Sequence, residues 1–559
     1  MSGFGPTGDL GWSEAPAYAY PQEVLGDDRA GVEFIAVAEI YPVNLGVDGV
    51  EAHASFPIGD LPLAGDGGVE ALYFATEEWA TSPTDVPPNQ PFDGRLSDPL
   101  RFSQSLLSGE RFSGFALGGG SLRIDNDDGA YDSFITGYGL DGRRVVVKVG
   151  RRTDPYSSFV PIFEGTASDW RGDLSSIEVI LRDNGFKLEA PAQPTVYAGT
   201  GSDEGGAELE GKRRPLLLGE VEHGPMTLVD PAYLIYQVND GAIGTAIEIL
   251  DKGIALTPNG ANQASYAALV SVAVGAGEFE LYPAGGYVKL GAQPDGQVTF
   301  RAGAGFALTK TGEIVRQLLS TTTLLDPQEI DAESLEALDV DQPADVGIVL
   351  PPDGSGTTAD AVADLLLGIG AFGAFDRLGR LYVGRVEAPS GEIADRFDGT
   401  DIVGLNREAL PASLAPPPWR LRTAYQRNFA PMTGGDLAPG VSPADRTALQ
   451  GESLLASASD PSVLSGHPLA QDPEPVVSFF ADKADAEDEA ERLLFLFAAG
   501  RSLWRMRLPR RALLLELGHV ISVSYPRFGL VGGREMVVLD KRPLLGGSDV
   551  AQVEVVAYG

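Results

Sequence analysis

The sequence predicts a mainly β protein with α+β elements, built as several domains. Three observations carry this. Gly 70 and Pro 40 are both numerous and fall between short alternating apolar runs, the pattern of a turn-rich sheet protein. At 559 residues the chain has room for roughly four domains, on a prior of about 150 residues each. Hydrophobic residues at 43% and charged residues at 21% are ordinary globular proportions, which argues against wholesale disorder.

In chain order, residues 1–60 are expected to form an N-terminal arm and the first strands. The stretch from Met1 to Asp28 is rich in Gly, Pro and aromatics and has no period, whereas Val32 to Val43 and Gly49 to Ile58 alternate as strands do. A β-rich unit is expected over 61–205. In it a Pro-rich loop between Pro83 and Pro91 is too poor in amide donors for a central strand, so it belongs at a surface. The runs SLRIDNDDGAYDSF, GRRVVVKVG, FVPIFEGTASDW and SSIEVILRDNGFKLEA supply four strands joined by turn residues. The low-complexity GSDEGGAELEG, Gly201 to Gly211, reads as a linker or mobile loop that sets a boundary. A second β-rich domain follows over 206–310, with strands in RPLLLGEV, LVDPAYLIYQVNDG and IEILDKG.

An α+β insert is expected over 311–400. TGEIVRQLLS and DPQEIDAESLEALD are helical by period, and TTADAVADLLLGIGAF starts on a Thr cap and turns Val362, Leu365, Leu366 and Ile369 inward. AFGAFDRLGRLYVGRV is a hairpin turning at Leu378-Gly379. Over 401–480 the chain is Pro-rich and weakly periodic, which predicts extended loops from Pro411 to Pro475 interrupted by one strand in WRLRTAYQRN.

The last domain, 481–559, is expected to be a helix followed by a compact antiparallel unit of four strands. ADKADAEDEAERLLFLFAAG has acids in its early turns, Leu493, Leu494 and Phe497 at helical spacing, and Gly500 as its stop. The period then becomes two, with Trp504, Met506 and Leu508 on one face and Arg505 and Arg507 on the other. Ile521, Val523 and Tyr525 share a face of the next strand; turns are expected at Gly532-Gly533 and at Gly546-Gly547-Ser548-Asp549.

Charge narrows the functional classes. With 79 acids against 41 bases the net charge is −38, and such a surface repels nucleic acid, since phosphate binding depends on cations that displace counterions. Zero cysteines exclude disulfides, thiolate zinc sites and iron–sulfur clusters on this chain. The N-terminus has neither a basic n-region nor an apolar h-region, and no run of about 18 apolar residues occurs. A soluble product that reaches its place by assembly, without stable membrane association, is the expectation.

No constellation of residues promises catalysis, and no catalytic, cofactor-binding or metal-binding residue is assigned. Gly303-Ala304-Gly305 lacks the third glycine of a dinucleotide loop and reads as a plain turn. Asp125, Asn126, Asp127, Asp128 and Gly129 lack calcium-loop spacing and read as a hairpin turn. His53, His223, His467 and His519 show no metal-ligand spacing. Glu77-Glu78 beside Trp79, and Asp169 beside Trp170, suit the two carboxylates and aromatic floor of glycoside hydrolysis, but among 79 acids such neighbours arise by chance. Arg501, Arg505, Arg507, Arg510 and Arg511 alternate with apolar residues, and salt bridges to a neighbouring strand or subunit fit them better than a nucleic-acid patch.

Four segments in fixed order carry a family resemblance. They are the D-x-P-x-N loop (Asp85, Pro87, Asn89) with the later Asn-Asp-Gly turn and LDGRRVVVKVG; RPLLLGEV through IEILDKG; ADLLLGIGAFGAFDRLGRLYVG; and the terminal helix with its Trp504 strand, LELGHVISVSYPRFGLVGGREMVV and VEVVAYG. In this order the chain resembles baseplate-hub or tail-tip-hub proteins of tailed bacteriophages and of gene transfer agents. The resemblance implies tail-tube-like β-barrel or sandwich domains, with those at 61–205 and 481–559 acting as segments of a tube wall. It implies a homotrimeric ring that meets a distal tail protein or the hexameric tail tube above and tip, fibre or tape-measure proteins below. It further implies a structural protein, not an enzyme and without cofactors, located in the virion after assembly in the host cytoplasm. DNA would be met only in transit, through an acidic channel. The alternative is a carbohydrate-active or host-glycan-binding β protein of a tail tip.

Overall fold

A computed structural model describes residues 25–26, 33–44, 71–260, 262–303, 308–354, 356–412, 414–498, 500–546 and 550–559. The expected arm, the strand over Gly49 to Ile58, His53, most of the Gly303-Ala304-Gly305 turn and the turn at 547–549 lie outside the described residues.

The N-terminal unit consists of β1 (Phe34–Ile40), β2 (Leu72–Ala75), β3 (Leu96–Ser105), β4 (Gly119–Asp125), β5 (Arg143–Arg151), β6 (Val160–Gly172) and β7 (Ser176–Arg182). Val145, Val147 and Val149 of β5 alternate into the main core, while Val37 of β1 faces a smaller cluster with Phe92, Tyr156 and Phe159. That second face holds a buried polar knot: Lys148 Nζ lies 2.6 Å from Glu39 Oε1, and the Tyr41 and Tyr156 hydroxyls donate to the same carboxylate. Burial alone would raise the Glu39 pKa, but Lys148 and these donors outweigh it and hold the carboxyl below its ordinary range.

Residues 221–302 form two small sheets. A four-stranded one contains Val221–Pro225, Val298–Ala302 and Ile247–Asp251; a five-stranded one contains Ile235–Gln237, Tyr287–Leu290 and Glu278–Tyr282. Ile249 and Phe300 from the first meet Phe279, Leu281 and Val288 from the second in one core, so the unit is a sandwich. The low-complexity stretch ahead of it is not a loose linker. Leu209 is buried with Tyr197, Val229 and Tyr287, Gly199 N donates to Glu204 O at 3.0 Å, and Arg214 reaches Glu204 at 2.7 Å. Composition hid this because one leucine among small and acidic residues is enough to anchor the loop.

The insert carries helices α1 (Thr311–Thr322), α2 (Ala332–Asp341) and α3 (Thr358–Gly368) and the hairpin β8 (Ala371–Phe375) and β9 (Leu381–Arg385). Thr357 caps α3 by accepting from Asp360 N, and Val362, Leu365, Leu366 and Ile369 are buried as their spacing requires. Strands β10 (Ile393–Phe397) and β11 (Gly404–Glu408) follow. The segment from Pro411 to Pro475 holds more regular structure than its proline content predicts. Strand β12 (Arg420–Tyr425) pairs with β13 (Leu454–Ser459), and Pro443–Gln450 is a helix capped by Ser442. The alternation in LLASAS is short and lies among serines, so it reads as loop until its partner strand is in place.

The C-terminal unit is helix α4 (Lys483–Ala498) and strands β14 (Leu503–Pro509), β15 (Val520–Val523), β16 (Arg534–Gly546) and β17 (Val550–Tyr558). Trp504, Met506 and Leu508 are buried, Arg507 is exposed, and Gly500 stops the helix with φ +66°. Tyr525 falls just outside β15, which ends at Val523.

This unit is not self-contained. Thirteen strands form one sheet in the order β11-β14-β17-β16-β3-β4-β7-β6-β5-β1-β2, with β15 branching from β16 and β10 pairing with β15. Among the described residues the path is open from β11 to β2 and closes no barrel. One continuous core runs from Leu25 to Tyr558 beneath it. The fold is mainly β with packed helices, and its two ends share one sheet.

Candidate functional site

The place that organises the molecule is the seam between the two ends. Strand β16 pairs on one side with β17 from Val537↔Tyr558 to Gly546↔Val550. On its other side it forks: its first residues pair with β15, and its later ones with β3 through Asp540↔Ser105, Lys541↔Gln104 and Leu545↔Leu100. Leu106 N donates to Leu539 O at 2.8 Å to close the join. Pro543 has no N–H to give, and the β3 ladder is interrupted around it. A groove of about 700 Å³ opens there, walled by Phe102, Ser103, Gly120, Pro543 and Leu544 with Arg101 and Arg542 beside it. Gly120 has to be glycine, because a Cβ there would lie 1.8 Å from Arg101 O.

The tip of the β8–β9 hairpin is held across the opposite side of this seam. Gln104 Nε2 of β3 donates to Phe375 O at 2.8 Å, Asn184 Nδ2 to Gly379 O at 2.9 Å, and Arg377 Nη1 to Pro161 O at 2.8 Å. Arg377 N donates to Glu516 Oε1 at 3.2 Å, and the second oxygen of Glu516 lies 3.3 Å from Lys541 Nζ on β16. Burial, reinforced by Asp376, raises the Glu516 pKa against the pull of Lys541. Asp183 beside the same socket is pushed up to about 6 by burial, although it accepts from Gly118 N and Gly185 N. The insert is thus tied to residues from both ends of the chain at once. Asn184→Ala is expected to cost about 1–2 kcal/mol by leaving the Gly379 carbonyl buried without its donor. Hydrogen exchange should show faster opening of 371–385, and unchanged protection there would count against the tie.

A second junction binds α4 to the insert. Glu489, with 0% side-chain exposure, lies 2.5 Å from Arg385 Nη2 and 2.7 Å from Arg492 Nη2. Arg385 also donates to Ile369 O and Asp341 O, and Arg492 to Val386 O, so the guanidinium hydrogens find partners. Neither junction was found from sequence. Gln104, Asn184, Glu516 and Lys541 sit in unrelated segments with no shared spacing. Glu489 did leave a signal, since it lies on the same helical face as Ala486, Ala490 and Leu493.

The residues singled out from sequence fall as follows. The turn at Asp125 to Gly129 is no hairpin: Asn126 accepts from Tyr131 N and donates to Asp132, and the chain enters the short helix Asp132–Gly137. Asp128 pairs with Arg95 through two 2.7 Å hydrogen bonds. The hairpin reading failed because Asn-Asp-Asp-Gly suits any tight turn, and the next strand in sequence is not the spatial neighbour. Among the described residues no three His, Asp or Glu side chains converge as metal ligands. His223 is buried against Arg301 and Asn428; His519 Nδ1 accepts from Glu516 N; His467 lines a separate groove. Glu77 pairs with Arg152, and the Trp79 ring stacks on Phe159 at 4.9 Å. The Trp170 indole donates to Tyr138 O at 3.2 Å. Both rings beside acids are therefore engaged inside the fold.

The arginine run pairs within the chain. Arg505 bonds Glu408 and Glu554 at 2.6 Å each, and Arg511 bonds Asp395 and Asp401. Arg501 donates to the Phe495 and Leu496 carbonyls, and Arg510 stacks on Phe34. These contacts clip β10 and β11 to the C-terminal strands.

No family model matches the chain, and no curated protein matches it. Solved structures do. Those it is similar to include tail proteins, a chain of a gene transfer agent particle and a component of the type VI secretion system. A tail protein from Neisseria meningitidis MC58 shares 10% identity at TM-score 0.39, over 84% of this chain and 93% of that one. The 43 kDa tail protein of prophage MuSo2 from Shewanella oneidensis shares 11% at 0.34, over 84% and 96%. A chain of the virion of a native gene transfer agent particle shares 15% at 0.39, over 62% and 85%. No helix among the described residues is long and apolar enough to cross a membrane.

Proposed function

We propose that this chain is a structural subunit of a phage tail tip or baseplate hub, assembling as a trimeric ring in the virion. The ring joins the tail tube or a distal tail protein to tip, fibre or tape-measure proteins and continues the DNA channel. The observation that supports this best is the seam: strands from opposite ends of the polypeptide share one open sheet, cross-braced by the hairpin tip. Such a panel transmits load between distant parts of the chain, which is what a wall segment must do, and the first and last of the four segments that resemble hub proteins lie in it. Closure follows if contacts around the ring return on themselves after three copies. An excess of 79 acids over 41 bases suits a passage that DNA crosses without sticking. In this reading the chain acts by shape and charge and makes or breaks no bond.

The test is mass photometry of the purified full chain followed by cryo-microscopy of the assembly. A three-copy ring with the 13-stranded sheet against a central passage is expected. A sheet set apart from any passage would end the proposal.

A further inference from the structure

We propose that copies of this chain join head to tail, the basic loop 526–534 of one copy seating in the groove beside α4 of the next. This rests on the ring reading above and names the surfaces that would close it. The groove, about 750 Å³, lies between α4 and residues 457–467, with Leu494, Phe495, Ala498, Ala458 and Val463 giving it apolar walls. Phe495 is 65% exposed on a helix whose neighbours Leu493, Leu496 and Phe497 are buried. Glu491 and Asp460 stand in the same groove, and Asp488 lies exposed seven residues ahead of Phe495 on the same helical stripe. The site is a greasy slot with an acidic rim.

The loop offers the complement. Phe528 and Val531 are 52% and 75% exposed, and exposed Arg527 and Arg534 flank them. The Arg527 guanidinium lies 5.0 Å over the Phe528 ring, and neither arginine has an ion-pair partner among the described residues. The loop's shape is held from within: Leu530 is fully buried, its N–H donates to Arg527 O, and Tyr525 N donates to Leu530 O. A preformed loop loses little freedom on docking.

Register places the two surfaces on opposite faces of the C-terminal strands. Leu503 pairs with Tyr558, whose hydroxyl donates to Leu496 O of α4, so α4 covers that face. Trp504 points the other way, and the Phe528 ring lies 5.9 Å from it. One copy cannot fill its own groove by a small movement, whereas a second copy meets it in a heterologous contact.

Charge favours this occupant. Copies carrying −38 repel at a distance, and with screening over about 8 Å at physiological salt only a local pairing of opposite charges overcomes this at contact. Arg501, 5.4 Å over the Phe495 ring, and Glu535 next to Arg534 are the like-charged groups each surface must avoid. Arg527 and Arg534 therefore face Asp488, Glu491 and Asp460, on the side away from Arg501.

Two variants of the full chain test the contact: Arg527→Glu with Arg534→Glu, and Glu491→Lys with Phe495→Ser. All four side chains are exposed, so unchanged circular dichroism and melting will show that both fold. Sedimentation velocity at micromolar concentration should give a multi-copy wild type, while each variant alone dissociates with affinity weakened about 100-fold. Equimolar mixing of the variants leaves one intact loop facing one intact groove, so two-copy complexes and nothing larger are expected. If the wild type assembles and either variant assembles equally well, this contact is wrong while the ring stands. A wild type that stays single at tens of micromolar removes both. Mixed variants that form the full assembly would also overturn the pairing.

Discussion

Replacing Glu489 by alanine is expected to lower stability by about 3–5 kcal/mol, the range for removing one partner from a buried ion pair. The carboxylate has 0% side-chain exposure and is the shared acceptor for Arg385, 5% exposed, and Arg492, 16% exposed. Without it, two guanidinium groups remain largely buried, offset only by the Ile369, Asp341 and Val386 carbonyls and by the half-exposed Glu387, 3.2 Å from Arg492 and 3.5 Å from Arg385. Converting the set together, Arg385→Met with Glu489→Leu and Arg492→Met, is expected to cost much less, because no buried charge is left unpaired and Glu387, 46% exposed, is solvated by water. Urea denaturation followed by tryptophan fluorescence, with hydrogen exchange on α4 and β9, measures both. A loss below about 1 kcal/mol for the alanine variant would mean that water reaches the site. Because α4 and β9 belong to different segments, faster exchange should appear in both at once.

The second large effect concerns pH. His223 is 2% exposed in the Val221–Pro225 strand, and burial, aided by the Arg301 charge, pushes its pKa down to about 4. A histidine in the unfolded chain titrates near 6.5, so between these values the unfolded state binds the proton and the folded state does not. Stability attributable to this residue is therefore complete above about 6.5, falls as pH drops, and levels off below about 4, for a total near 3 kcal/mol. Burial also lowers the His519 pKa, which adds loss of the same sign. Asp183 works the other way. With its carboxyl pushed up to about 6, the folded state holds a proton that the unfolded chain releases, so stability rises as pH falls from about 6 towards 4. Subtracting the profile of His223→Gln from the wild type isolates the histidine. A difference that stays flat between pH 7 and pH 4 would show that His223 takes up its proton at the same pH in the fold as in the unfolded chain.

The local patterns read from sequence survive where each residue's environment is set by its near neighbours. Trp504, Met506 and Leu508 face the core because period two in a strand leaves them no other choice, and Thr357 caps α3 because its hydroxyl needs only Asp360 N. The failures lie where the deciding contact is remote. Gly201 to Gly211 reads as linker until Leu209 meets Tyr287. LLASAS reads as loop until Arg420–Tyr425 pairs with it. The seam is the largest such failure. The run REMVVLD opens a strand, Arg534–Gly546, that passes through Pro543 because β17 pairs along it as far as Gly546↔Val550, while the β3 ladder is interrupted around the proline.

Composition and period thus suffice for a mainly β chain, its amphipathic helix α4, its alternating terminal strands and its heavy negative charge, because all of these depend on side-chain chemistry repeated over a few residues. They do not say that Gln104 reaches Phe375, 271 positions away, or that Arg510 reaches Leu25 across 485. Those partners are chosen by packing the whole core at once, when desolvated carbonyls and charges accept whichever donor folding brings within 3 Å or so. The joining of first and last strands into one sheet is of that second kind, and the reading of this protein as a wall segment depends on it.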